Sequence, residues 1–153
     1  MHLKQVKMIN WELLHYNNLS IDLLYNILKI RQEVFIIEQH CNYLDADNID
    51  HYSNHLLGYF DDKLVAYMRI VPPRYIYKHL SFGRILVKKE FRGKSIGREL
   101  MKKAINIFSP DHKIIVMSAQ LYLVKFYQEF NFEVEGKEYL EDNIPHIKMI
   151  RNG

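Results

Sequence analysis

Lys88 to Gly97 (KKEFRGKSIG) combines two glycines with four cations, and Arg98 follows at once. Residues 81 to 87 before it are mostly apolar and β-rich. After it, Ile96, Leu100, Met101, Ala104, Ile105 and Phe108 recur as one stripe of an amphipathic helix. A strand, a tight loop and a helix in that order bring the unpaired first-turn amides to the loop, where the helix dipole also favours an anion. Gly93 and Gly97 let a backbone approach a ligand closely, and Arg92, Lys94 and Arg98 add positive charge. Such a loop can cradle a pyrophosphate. The same residues also fit an ordinary β-turn-α connection with a solvated basic face. Two other phosphate loops are excluded. A Walker A loop needs glycine five residues before Gly93, where Lys88 stands, and a dinucleotide fingerprint needs G-x-G-x-x-G where this loop has G-x-x-x-G.

Other residue types with chemical potential are scattered. Glu38-Gln39-His40 follows an apolar helical stripe, and His146 sits between Pro145 and Ile147. Imidazole is suited to proton transfer near neutrality. Tyr127 lies between Phe126 and Phe130 and, from the residues alone, reads as a core aromatic. Arg84 and Gln120 are polar residues inside apolar stretches, so they need partners if buried. His51-x-x-x-His55 with Asp47 and Asp50 has the spacing of a helical metal site, but His55 opens a strand that would point the pair apart, so no metal is expected. Cys41 has only His40 beside it to lower its pKa and is not expected to be a nucleophile.

The elements that must hold these residues follow from patterning. Residues 6 to 15 read as an opening strand. Ser20 caps a helix whose face carries Leu24, Ile27, Leu28, Arg31, Val34 and Phe35. Residues 39 to 54, with Asp45, Asp47 and Asp50, read as an irregular loop or short helical turns. His55 to Phe60 and Leu64 to Val71 flank a turn at Asp61-Asp62-Lys63 and form a hairpin. Lys113 to Ser118 is a short buried strand of the type parallel sheets use. Leu123, Phe126, Tyr127 and Phe130 lie on a second helix, and residues 132 to 140 and 146 to 151 are two strands around Glu141-Asp142-Asn143. The sum is a mixed α/β sheet with β-α-β crossovers in its middle. A length of 153 residues with 48% apolar and 13% aromatic content suits one globular domain spanning 1–153. The net charge of +3 is too weak to argue for nucleic acid; the basic stretch 84–103 also interleaves Glu90 and Glu99 and offers no aromatic platform. No run approaches the roughly 18 apolar residues that span a bilayer, and a single cysteine fits a reducing interior, so a cytoplasmic protein away from membranes is expected.

At the basic loop the chain resembles the GNAT N-acetyltransferases. Arg92-Gly93-Lys94-Ser95-Ile96-Gly97 is similar to their R-x-x-G-x-G/A acetyl-CoA loop, and Phe126 to Phe132 (FYQEFNF) resembles their F-Y-x-x-x-G-F. Trp11-Glu12, Arg31-x-x-Val34-Phe35-x-x-Glu38-Gln39, Gly83-Arg84-Ile85, Ala119-Gln120 and the stretch from Glu141 to Ile147 extend the resemblance, closest to the small ElaA-type branch. Ser95 and Asn131 replace family glycines, and a positive φ at Ser95 would put cofactor affinity in doubt. The resemblance implies the GNAT fold, a mixed, mostly antiparallel twisted sheet with helices on both faces, and acetyl-CoA as cosubstrate with no metal. It implies donor contacts along Ile85, Leu86 and Val87, whose amides would also serve an oxyanion, and through Arg92, Gly93, Lys94, Ser95, Ile96, Gly97 and Arg98. It implies Tyr127 as the acid that protonates the leaving thiolate, Glu38 as the base, and Gln39, Arg84, Gln120 and His146 in the acceptor site. The acceptor is expected to be a primary amine on a small molecule or peptide, held between the end of the first helix and the loop at Tyr75-Ile76-Tyr77, with Tyr43 nearby. A non-catalytic acyl-CoA-binding module on the same fold is the alternative, and an unpaired edge strand could support a homodimer.

Overall fold

The structure is a computed structural model that describes residues 8–153. Seven strands form one sheet in the order β1-β2-β3-β4-β5-β7-β6. They are β1 (Asn10–His15), β2 (Asn54–Phe60), β3 (Lys63–Val71), β4 (Leu80–Val87), β5 (Ile114–Gln120), β6 (Phe132–Glu141) and β7 (Ile144–Asn152). Every neighbouring pair is antiparallel except β4 and β5, so there is one parallel crossover where several were expected. Strand β1 begins at Asn10, and residues 6 and 7 of the expected opening strand lie outside the described residues. Both hairpin turns adopt the left-handed pairs that match strand twist: Asp61 and Asp62 at φ 46° and 61°, Asp142 and Asn143 at 51° and 63°.

Among the described residues three α-helices cover the sheet: α1 (Ile21–Arg31), α2 (Ile96–Phe108) and α3 (Val124–Gln128). Ser20 Oγ accepts the Leu23 amide at 3.1 Å and starts α1, as its type predicts. Helix α1 runs on into a π-helical segment, Gln32–Glu38, a rare geometry that concentrates at functional sites. Its Ile27, Ile30, Val34 and Phe35 pack on Leu57, Tyr67 and Leu86. The α2 stripe packs with Leu56, Met68 and Ile70, the strand neighbours that point the opposite way. Helices therefore lie on both faces. Helix α3 is shorter than the apolar spacing predicts: a 3-10 turn precedes it, and Phe130 falls beyond its end, held by the left-handed Asn131 at φ 67°.

Two features open the centre of the sheet. Strand β4 carries a bulge at Arg84, with φ 51°, where its register against β3 shifts. On its other side β4 pairs with β5 only at Leu80↔Ile115 and Ser81↔Val116, and the strands part beyond. The segment between the π-helical turns and β2, expected as a polar loop, is anchored by buried charge. Arg31 donates to Asp45 and Asp50, Arg69 to Asp47 and Asp50, and Arg84 to Asp45 and Asp47. Arg31 and Arg69 are almost wholly enclosed. His55 sits beneath, donating from Nε2 to the Asp50 carbonyl and accepting at Nδ1 from the Tyr67 hydroxyl. Burial holds its imidazole below the ordinary range, and both nitrogens are committed.

Candidate active site

The gap between β4 and β5 is the mouth of a cavity of about 1010 Å³. One wall is Phe82 to Val87 of β4; the other is Met117, Ser118 and Gln120 of β5. The floor at one end is the loop and first turn of α2, including Arg92, Gly93, Ser95, Ile96, Gly97 and Arg98. At the other end lie Gln39, Tyr43, Tyr77, Glu141 and His146. Because β5 leaves β4 after Ser81, the β4 edge from Phe82 to Val87 has no parallel partner and is open to an extended ligand.

The basic loop differs from its expected form in where its charge goes. The Arg92 guanidinium is fixed by Nε donating to the Val87 carbonyl at 2.9 Å and by a two-pronged bond to Glu38 at 2.7 and 3.0 Å. Arg98 makes a similar fork to Glu129. The Lys94 ammonium rests over the Phe91 ring. Two of the cations expected at a pyrophosphate, Arg92 and Arg98, are thus paired with carboxylates. Gly93 at φ 76° and Ser95 at φ 63° put left-handed residues before α2, the conformation that turns successive amides toward one concavity. The Ser95 hydroxyl makes no capping bond, so serine holds a glycine conformation without a side-chain return. At Gly97 a Cβ would meet Phe126 at 3.6 Å and Val87 at 3.8 Å, ordinary contacts, so the fold does not require glycine there and an approaching ligand would. Both features fit a diphosphate-bearing cosubstrate.

Tyr127 is 5% exposed and lines the cavity. Among the described residues no protein group hydrogen-bonds its hydroxyl. Burial pushes this phenol above its ordinary range, and the Tyr122 phenol adds to the push. Glu38 also lines the cavity, and both its oxygens accept from Arg92 of the basic loop. Arg84, expected in the acceptor site, lines the cavity and also holds the Asp45 and Asp47 loop. Gln39 and Gln120 meet at 3.1 Å and bridge the π-helical end to β5. His146 lies opposite Gln120 on the neighbouring strand. Tyr43 and Tyr77 line the cavity, whereas Tyr75 turns away and stacks on Tyr52.

Sequence reasoning missed a polar cluster beside His146. Ser118 Oγ bonds the Tyr139 hydroxyl and donates to Glu141 at 3.1 Å. The Tyr139 ring lies nearly parallel to the His146 ring. Burial, with Tyr139 and Glu141 adding to it, pushes Tyr77 up to about 12, so it stays a protonated donor. Strand alternation on β6, which puts every second residue on the same face of the sheet, is the signal that would have paired Tyr139 and Glu141.

The acetyltransferase (GNAT) domain matches residues 21–152 of this chain. The chain belongs to the GNAT acetyltransferase family. It is 39% identical over 149 residues to the protein ElaA of Escherichia coli, covering 94% of this chain and 97% of ElaA. The UPF0039 protein sll0451 of Synechocystis is 41% identical over 145 residues, with 93% and 94% covered. The crystal structure of E. coli ElaA superposes with a TM-score of 0.88 at 38% identity, covering 95% of this chain and all of that one. An acyl-CoA N-acyltransferase from Pseudomonas aeruginosa gives the same TM-score at 33% identity, with 94% and 99% covered. The GNAT fold, expected from the motifs, is the fold of this chain, and the family fits an acyl-CoA-dependent acyltransferase.

Proposed function

We propose that the protein is a cytoplasmic N-acetyltransferase that passes an acetyl group from acetyl-CoA directly to a primary amine of a small molecule or peptide. The observation that carries this is Tyr127, a buried phenol with its hydroxyl unspent, lining the cavity that also contains the amide-rich entry to α2 and the unpaired β4 edge. Direct transfer needs three things from the chain: donors where negative charge develops on the thioester oxygen, an acid for the leaving thiolate, and a group that takes the amine's proton. The amides between Ile85 and Val87 that turn away from β3 face the open edge and suit the first task. Tyr127 suits the second. A phenol whose pKa is raised by burial is a weak acid in the abstract, but a thiolate formed in the same dry cavity is raised too, so the two remain matched. A non-catalytic acyl-CoA-binding module would have no use for an uncommitted buried hydroxyl.

Replacing Tyr127 with Phe tests the proposal while keeping the ring packed. Because the hydroxyl has no protein partner, stability should hardly change and acetyl-CoA affinity should stay as it was. Turnover should fall about 10²–10⁴-fold, and less with an acyl donor whose thiol is more acidic. Steady-state thiol release and separate calorimetry with acetyl-CoA provide the two readouts. A drop in kcat below about fivefold, well short of the general-acid range, would remove Tyr127 from the reaction.

A further inference from the structure

Glu38, the residue expected for the third task, is paired to Arg92 through both oxygens. The other end of the cavity holds a different candidate. His146 is 7% exposed, and its Nδ1 lies 2.7 Å from the Ile144 carbonyl. A carbonyl only accepts, so Nδ1 must carry a proton, and in the neutral ring the lone pair is on Nε2. That atom lies 3.3 Å from Glu141 Oε2, which is itself held by the Ser118 hydroxyl. In the neutral ring two acceptors therefore face each other with no hydrogen between them. Such a pair calls for a donor with two hydrogens to give, and an alkylammonium is one.

We propose that His146 and Glu141 form the seat of the acceptor's ammonium group, with His146 Nε2 as the base that takes its proton. This rests on the amine acetylation proposed above. The ammonium donates one hydrogen to Glu141 Oε2 and one to His146 Nε2. The proton passes to Nε2, leaving the nitrogen's electron pair free. That pair forms the new bond to the acetyl carbonyl carbon as the carbon–sulfur bond breaks. The thiolate takes the Tyr127 hydroxyl proton, the amide nitrogen's surplus proton returns to the Tyr127 oxygen, and the imidazolium gives its proton to solvent. Atoms and charge balance to one amide, one thiol and one released proton. The titratable groups around the ring are Glu141 and Tyr139 from β6, Tyr77 from the segment before β4, Asp142 in the turn, and Lys148 further along β7. Lys148 is drawn off over the Tyr77 ring and toward Glu135, so it does not fill the seat. Glu141 is half exposed, which puts the seat at the solvent-facing end where an acceptor can enter.

The chemistry favours a primary amine, and the Tyr43 and Tyr77 rings line the cavity, so 2-phenylethylamine, an amine with a ring of its own, is the probe. With it and acetyl-CoA, His146→Gln should lower kcat about 10²–10⁴-fold at neutral pH. The deficit should narrow as pH rises toward the amine's own pKa near 10 and the solution supplies free amine. Glu141→Gln, at an exposed position that the fold tolerates, should instead raise the amine KM about tenfold or more and leave kcat closer to wild type. Acetyl-CoA binding by calorimetry should be unchanged in both. Independently of turnover, nitrogen NMR of the wild-type protein should show the Nδ1-protonated tautomer of His146, with Nε2 shifting when the amine is added. A deficit in His146→Gln that is the same at every pH or below about fivefold, or an Nε2-protonated tautomer, would overturn the assignment while leaving the acetyltransferase proposal intact. Wild-type protein that binds acetyl-CoA but releases no thiol with this amine would overturn both.

Discussion

Single residues in this protein carry conformational costs that the surrounding chemistry explains to different degrees. Ser95 adopts φ 63° with no capping bond from its hydroxyl among the described residues, so it bears the left-handed penalty of an L residue and gains nothing local in return. Two effects compete on replacement by glycine. Removing Cβ relieves about 1–2 kcal/mol of left-handed strain, and the freer unfolded chain takes back about 0.4–1 kcal/mol. Ser95→Gly should therefore stabilise the fold by roughly 0.5–1 kcal/mol and leave acetyl-CoA affinity equal or slightly improved. Thermal melts and calorimetry check it; a destabilised variant would mean that the serine side chain has a partner in the working enzyme. The same conformation at Asn131 costs less, because asparagine visits the left-handed region more readily.

At the scale of elements, the informative contact is the one between the π-helical end of α1 and the loop before α2. Glu38 and Arg92 are partly exposed, so their ion pair adds at most about 1 kcal/mol to stability. Its effect on binding should be larger, since it occupies the guanidinium nearest the cradle. Glu38→Gln weakens that hold and frees Arg92 for a phosphate. The expected result is acetyl-CoA affinity raised a few-fold, with a steeper salt dependence, and kcat close to wild type. Calorimetry at two ionic strengths and thiol-release kinetics measure this. A large fall in kcat with an altered pH profile would instead return Glu38 to the role of base.

Across the whole molecule, the network of Arg31, Arg69 and Arg84 with Asp45, Asp47 and Asp50 ties α1, β3, β4 and the segment between them into one body. Burial alone would raise the Asp47 carboxyl, but the hydrogen bonds and charge of Arg69, with Arg84, outweigh it and hold it at about 2. Asp50 is lowered in the same way by Arg31 and Arg69. A depressed carboxyl contributes stability that is complete above its unfolded pKa near ~3.9 and is lost as pH falls through the folded value. For Asp47 this is on the order of 1–2 kcal/mol after allowance for its partial exposure. His55 acts at higher pH with a similar slope: below about 6.5 the unfolded chain gains a proton that the buried ring refuses. Melting temperature should thus decline gently below pH about 6.5 and steeply between about 4 and 2. Asp50→Asn leaves two buried guanidiniums short of a shared anion and should cost about 3–5 kcal/mol at neutral pH, with a flatter acid limb. A flat wild-type profile down to pH about 3 would show that the network adds nothing to stability.

The amino-acid sequence by itself determined the local features. The α2 stripe, the Ser20 cap, the Asp61-Asp62 turn and the order of the family motifs are all written in spacings of a few residues, because helix period, strand alternation and turn angles depend on near neighbours. Tertiary structure decided the rest. Glu38 meets Arg92 across 54 residues, Gln39 meets Gln120 across 81, and Cys41 touches the Asp142 carbonyl across 101. Arg31 stands out on the apolar face of its helix, but nothing near it in sequence names its partners, and Asp45 to Asp50 look like any solvated loop. A charged side chain carries the same local signal whether it is solvated or buried against a counterion. The parting of β4 from β5 that opens the cavity is likewise a property of how strands pack and not of either strand's composition. Only the closed fold pairs Arg92 with Glu38, leaves the Tyr127 hydroxyl without a protein partner among the described residues and faces His146 with Glu141, because each of those outcomes is a distance between elements.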